Sequence, residues 1–260
     1  MDQERWARAD APEQDACLGA LCISGFALLG AERFACAGRA YRVGVFRHER
    51  SGARFHLLPG APRFRVELDP DPFGEVPIPP LLVARAPLSR AEWEAVPGAP
   101  PLPRPGAPEL PAGGVSWLAA RAWCAAAGLR LPREVEWEHA ARAGARTRFF
   151  WGDEPDDRYL WHLRNAGGRA HAAAEHAAWT NAFGLIDVAG NVWEWCQDDL
   201  DLPMEGSAWQ EGDPGKGHRG GSFEDPPAAA ACSLRRGSDP RATYPDLGLR
   251  PVADLEKTAA

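Results

Sequence analysis

Lysine is almost missing from this chain. It stands only at positions 216 and 257, so arginine carries nearly all the positive charge. With 29 basic against 36 acidic residues the net charge is −7, which argues against nucleic acid or an anionic membrane as partner, since either would want a basic face. Cysteine is sparse as well. Six thiols, at 17, 22, 36, 124, 196 and 232, are too few for a disulfide-built scaffold of this length. Cys17 and Cys22 form a C-x4-C pair, but no second pair or His cluster stands beside them, so no structural zinc is expected. Long hydrophobic runs are also missing. The stretch Leu18 to Ala31 falls short of the roughly 20 residues a spanning helix needs, and the segment before it, "MDQERWARADAPEQDA", is acidic where an export signal would be positive. A buried helix or strand, in a cytoplasmic protein, is the expectation.

What is present suffices for a core: 260 residues, 45% of them hydrophobic, make one large domain or a domain with an extension. Residues 1–40 read as a lead-in, and 41–260 as the domain proper. From "YRVGVFRHERSGARFHLLPG" onward, short β-type runs appear with a turn at Ser51-Gly52. Ser89 can cap "RAEWEAV", with Glu92 completing a capping box. The proline-rich stretch 97–113 is an extended connector or a surface loop. Ser116 then opens a helix over "WLAARAWCAAA" that Gly128 stops, and "LPREVEWEHAARAG" forms a second, with Val135, His139 and Arg142 on one face. Beyond Gly144 regular periodicity fades, and so long an irregular region needs some stabilising device.

A cation could supply it. In "NAFGLIDVAGNVWEWCQDD", Asp187 and Glu194 bracket a tight turn in which Gly190 and Val192 could turn main-chain carbonyls toward an ion, with Trp193 and Trp195 directed to the core. The plainer reading is that both acids cap turns and face solvent.

The ordered series "GGVSWLAARAWCAAAGLRLPREVEWEHAARAG", "FFWGDE", "NAFGLIDVAGNVWEWCQD", "RGGSFED" and "LGLRPV" resembles the sulfatase-modifying-factor, or formylglycine-generating enzyme, family over about residues 43–253. The resemblance implies an α+β, C-type-lectin-like fold with small twisted antiparallel sheets, two helices and long ordered loops. It also implies a structural calcium at Asp187, Gly190, Val192 and Glu194, and hints at a second near Asn165.

The family's oxidase chemistry is expected to fail here. The resemblance implies a copper ion held by a C-x4-C pair after the "GGS" motif, and two soft thiolates suit Cu(I). Anchoring on "RGGSF" and "LGLR" puts Ala229 and Leu234 at those positions, with Cys232 alone between them. Copper is therefore not expected, nor any catalytic residue, and Cys232 in "AAAACSL" reads as a buried thiol. His139, His162, His171, His176 and His218 lack the H-x3-H-x-E pattern that would suggest iron. Arg219 and Ser222 of "RGGSF" read as structural. A polar surface carrying Asp225, Arg235, Arg236, Arg241 and Tyr244 is left as the candidate for binding a protein or small ligand. The expectation is thus a non-catalytic binding module. Its rivals are an oxidase of the family with altered ligands and a regulatory subunit.

Overall fold

The computed structural model describes residues 9–67, 74–200 and 214–255. The apolar start of the chain divides in two. Asp10 caps α1 (Ala11–Gly19) by accepting from the Glu13 amide at 2.9 Å, and the chain then runs into β1 (Phe26–Cys36). β1 pairs antiparallel with β2 (Arg39–His48), from Phe26↔His48 to Cys36↔Arg39, around a turn at Ala37 and Gly38. The expected division at residue 40 therefore falls inside a hairpin, and residues 26–36 belong to the main sheet. Among the described residues no helix is long and apolar enough to cross a membrane.

The main sheet continues through β3 (Arg54–Leu58). A separate two-stranded ribbon follows, β4 (Ala61–Arg65) with β5 (Glu75–Ile78). β6 (Leu81–Ala84) then returns to the main sheet, whose order is β1-β2-β3-β6-β11 with every neighbour antiparallel. Its last strand, β11 (Val252–Asp254), comes from the far end of the sequence.

The helices form where their caps predict. Ser89 and Glu92 make the reciprocal capping box of α2 (Arg90–Glu94). Ser116 accepts from the Ala119 amide to open α3 (Trp117–Ala127), and Gly128 ends it at φ 78°. Trp117, Ala120, Trp123, Cys124 and Ala127 form its buried stripe, with Trp123 stacked on Trp93 at 5.6 Å. The proline-rich stretch 97–113 stays within the domain: Pro100 accepts from the Trp93 indole at 2.7 Å, and Ala112 donates to Leu88 at 2.8 Å.

The helix α4 (Glu134–Arg142) departs from the amphipathic expectation. Glu134, Glu136, Glu138, His139 and Arg142 are all buried, while Val135 is only half-buried. Buried charge survives only when paired, and here it is paired. Arg142 meets Glu138 at 2.8 Å, Arg219 meets Glu138 at 3.1 Å, and Arg130 meets Glu136 at 2.7 Å.

Against α4 packs the second sheet, ordered β10-β7-β8-β9, from β7 (Trp193–Leu200), β8 (Gly215–Arg219), β9 (Arg235–Ser238) and β10 (Leu247–Gly248). Short helices, small sheets and long ordered loops make up the α+β, C-type-lectin-like architecture that the sequence implied.

Between α4 and β7 the chain is irregular but heavily tied. The Asn181 side chain alone makes four bonds, donating to Ala140 and Ala141 at the end of α4 and accepting from the amides of Phe183 and Leu185. The Trp161 ring stacks against both His171 and His176, with centroids 3.8 and 4.4 Å away.

Candidate functional site

From Asp187 to β7 the loop turns on three left-handed residues, Asp187 (φ 52°), Gly190 (φ 74°) and Asn191 (φ 63°). Gly190 has no room for a side chain, because a Cβ would collide with the Trp161 carbonyl oxygen. Asp187 and Glu194 do not face solvent; both are buried. Asp187 Oδ1 lies 2.8 Å from His176 Nδ1, and its Oδ2 accepts from Asn191 Nδ2 at 2.9 Å. Glu194 accepts two guanidinium bonds from Arg250, at 2.9 and 2.7 Å, and the Trp137 indole N–H at 2.6 Å. Arg250 also donates to the carbonyls of Ala84 and Ile186, so one guanidinium joins β6, the loop and β7. Burial pushes the Glu194 carboxyl up against the pull of Arg250, and the charge of Asp187 adds to the rise.

These residues suit a hard cation in kind, since buried carboxylates and turn carbonyls are what calcium takes. Two acids stand here against one permanent cation, Arg250. An ion would share Glu194 with Arg250, and Asp187 with His176 and Asn191. Among the described residues no group of three or more His, Cys, Asp or Glu side chains converges on one point. Asn165 ties its own turn: its Oδ1 accepts from the His162 amide and its Nδ2 donates to Leu160.

The surface residues divide between outside and inside. Arg236 is half exposed, pairs with Asp225 at 2.8 Å and covers the Trp193 ring at 4.9 Å. Asp225 is fixed from below by the Trp193 indole and the Ser222 hydroxyl, both at 2.7 Å. Arg241 and Tyr244 are open to solvent. Arg235 is different. Its guanidinium reaches Glu134 at 2.7 Å, within the ionic core around α4. Adjacent residues of a strand point to opposite faces, so of Arg235 and Arg236 only the second belongs to the surface.

Cys232 is buried. Its amide donates to Arg148 and its carbonyl accepts from Arg219. Burial pushes the thiol up to about 11, the nearby Arg142 opposing, so it is not a thiolate at neutral pH. Ala229, in the short 3-10 turn Pro227–Ala230, is buried, and Leu234 packs partly against the core. Of the five histidines weighed for iron, His139 meets the Pro59 carbonyl at 2.9 Å, His218 meets Ser238 Oγ at 3.0 Å and His162 meets Asp157 at 3.0 Å, while His171 and His176 stack on Trp161.

Sequence reasoning missed Arg250, Asn191 and Trp137 and considered His176 only for iron, never as the partner of Asp187. The signal for the first was available, because an arginine inside the apolar run "LGLRPV" must find a buried acid.

The sequence profile of the sulfatase-modifying factor enzyme 1-like domain matches residues 67–255. A formylglycine-generating enzyme of Streptomyces coelicolor is 45% identical over 96 residues, which cover 32% of this chain and 31% of that protein. The inactive C-alpha-formylglycine-generating enzyme 2 of Bos taurus is 35% identical over 153 residues, covering 52% and 48%. The chain thus spans from about a third to a half of the length of these curated relatives. Among solved structures, Treponema denticola variable protein 1 superposes with a TM-score of 0.63 over 86% of this chain and 98% of that one, at 20% identity. At that identity the likeness concerns the fold alone.

Proposed function

We propose that this chain, which belongs to the sulfatase-modifying factor family, is a non-catalytic member that binds a protein or small ligand. The observation that carries the reading is Cys232: buried, protonated at neutral pH, and the only cysteine after Cys196. Two-coordinate Cu(I) wants two thiolates, and the neighbouring candidates by resemblance, Ala229 and Leu234, offer no sulfur. The bovine relative's name, which calls it inactive, is consistent with this reading. Arg236, Arg241 and Tyr244 form the face proposed for binding, with Asp225 as the anchor of Arg236. The test is mass spectrometry of a C-x-P-x-R peptide incubated with the protein, copper and oxygen. The expected result is no aldehyde. Turnover lost in Cys232→Ser would overturn the reading.

The same proposal includes calcium as the staple of the Asp187–Glu194 loop. What supports it is the resemblance and the charge balance, with two buried carboxylates against one guanidinium. An ion bound only by the folded state raises stability by mass action. EGTA is therefore expected to lower the melting temperature by several degrees, with one calcium per chain by elemental analysis beforehand. An unchanged melting curve, with no calcium found, would leave Arg250 and His176 as the whole of the loop's support.

A further inference from the structure

Three arginines stand in cross-strand register at one end of the main sheet. Arg47 of β2 lies opposite Arg54 of β3. Arg54 in turn lies opposite Arg85, one residue past the Phe55↔Ala84 pair, and its carbonyl accepts from the Arg85 amide at 2.8 Å. Directly opposed residues share a face, and like charges so placed destabilise the sheet. Among the described residues no acid lies within ion-pair distance of any of the three, and Arg85 Nε is buried without a hydrogen-bond partner. Burial and the charge of Arg54 both pull the Arg85 guanidinium down from its ordinary value, with Glu32 opposing from a distance. Arg47 and Arg54 are exposed to water, so the unmet need of the row lies at Arg85, whose buried Nε an anion would supply with a partner.

Beside the row is a cavity of about 400 Å³, lined by Arg54 and Arg85 and otherwise largely by apolar side chains: Ala84, Ala86, Leu88, Ala173, Ala174 and Ile186. Glu92 also lines it, its Oε2 accepting from the Ser89 amide and hydroxyl at 2.8 and 2.7 Å, so the lining carries two guanidinium charges against one carboxylate. Two guanidinium groups against alanine and isoleucine suit an anion with an aliphatic body. Arginine takes a carboxylate through paired N–H donors, which a point charge cannot reproduce. We infer that this cavity binds a small organic carboxylate, its head on Arg54 and Arg85 and its tail along the alanine wall. Ile186 lines the cavity and its amide donates to Arg85 at 2.8 Å, so an occupant touches the residue next to Asp187.

The test is calorimetric titration of the full chain with sodium hexanoate in low-salt buffer, with thermal melting in parallel. Hexanoate is expected to bind saturably and raise the melting temperature, while hexan-1-ol and matched sodium chloride do neither. Inorganic phosphate, which gains nothing from the apolar wall, is expected to bind more weakly. Arg54→Gln, at an exposed position, should weaken hexanoate by roughly tenfold, the loss of one charge-assisted contact, and Arg85→Gln likewise. Because it relieves the repulsion, Arg54→Gln should also raise the melting temperature of the ligand-free protein. That pairing of opposite effects is what a merely structural arginine would not give. The inference is overturned if hexanoate gives no saturable heat beyond the chloride control, if phosphate binds as tightly, or if Arg54→Gln leaves the affinity unchanged.

Discussion

Arg250→Ala is expected to destabilise the protein by about 3–5 kcal/mol, the range for removing one partner of a buried ion pair. The mutation does more than delete two bonds to Glu194. It leaves that carboxylate buried with only the Trp137 indole as donor, and it frees the carbonyls of Ala84 and Ile186. Three parts of the fold then lose their common tie: β6, the loop at Asp187 and β7. The measurement is urea unfolding of wild type, Arg250→Ala, Glu194→Gln and the double variant. Coupling should be large, because Glu194→Gln removes the charge that Arg250→Ala strands. Arg250→Lys should fall between, since an ammonium cannot match both carboxylate oxygens. A loss below about 1 kcal/mol in Arg250→Ala would mean that the pair is screened as a surface bridge is, and that the loop is held by something else.

The same residue marks the limit of what could be read from the sequence. Caps and helical stripes were legible because they are local: Ser89 with Glu92, Ser116 with Gly128, and the spacing of Trp117, Ala120, Trp123 and Cys124 all act within one or two turns. The family motifs were legible because their order along the chain is specific. Hidden were the pairings that close over long separations. Glu194 with Arg250, Glu134 with Arg235 and Glu138 with Arg219 each join segments tens of residues apart, and no local rule matches one arginine to one acid. The lead-in was misjudged for a different reason. Its hairpin turns on Ala37 and Gly38, with φ 48° and 77°, whereas the strong short-range hairpin signal is Asn-Gly or Asp-Gly. An alanine in the left-handed region is a strained choice that sequence reading does not anticipate.

For the candidate site, the outcome follows the same division. Asp187, Gly190, Val192 and Glu194 are all buried, the first three in the loop and Glu194 at the start of β7, whereas their spacing alone reads most plainly as turn caps facing solvent. The proposed surface held together less well, because composition alone does not say which way an arginine faces. Strand alternation could have separated Arg235 from Arg236 once β9 was recognised, but the short run "RRGS" carries no apolar alternation from which to recognise it.

Mild acid is expected to weaken the fold well above the pH at which carboxylates titrate. Burial pushes His56 down to about 4 and His218 to about 3, and lowers His48 and His139 as well. The geometry explains the direction. His56 Nδ1 donates to the Phe183 carbonyl at 2.9 Å, so a second proton would go to Nε2, which is buried with no partner and faces the charges of Arg85, Arg54 and Arg250. His218 is enclosed by Trp193 and Trp195, meets Ser238 Oγ through Nε2 and has no partner for Nδ1. A histidine whose folded pKa is depressed binds its proton more readily when unfolded. Its contribution is therefore complete above the unfolded value near 6.5 and is lost progressively as pH falls toward the folded value. Between pH 7.5 and 5.5 that amounts to about 1.4 kcal/mol for each fully depressed histidine, or about 3 kcal/mol for His56 and His218 together. His48 and His139 add to it. Glu134 and Glu194, raised by burial, act in the opposite sense above their ordinary value, so the two histidines must be isolated by mutation. Urea unfolding at both pH values should show the loss in wild type, and the loss should shrink by about 1.4 kcal/mol in His56→Gln and again in His218→Gln. Each variant will be less stable at pH 7.5 through altered packing, but that cost is common to both pH values and cancels from the difference. Equal acid sensitivity in wild type and both variants would show that these imidazoles protonate freely in the folded state.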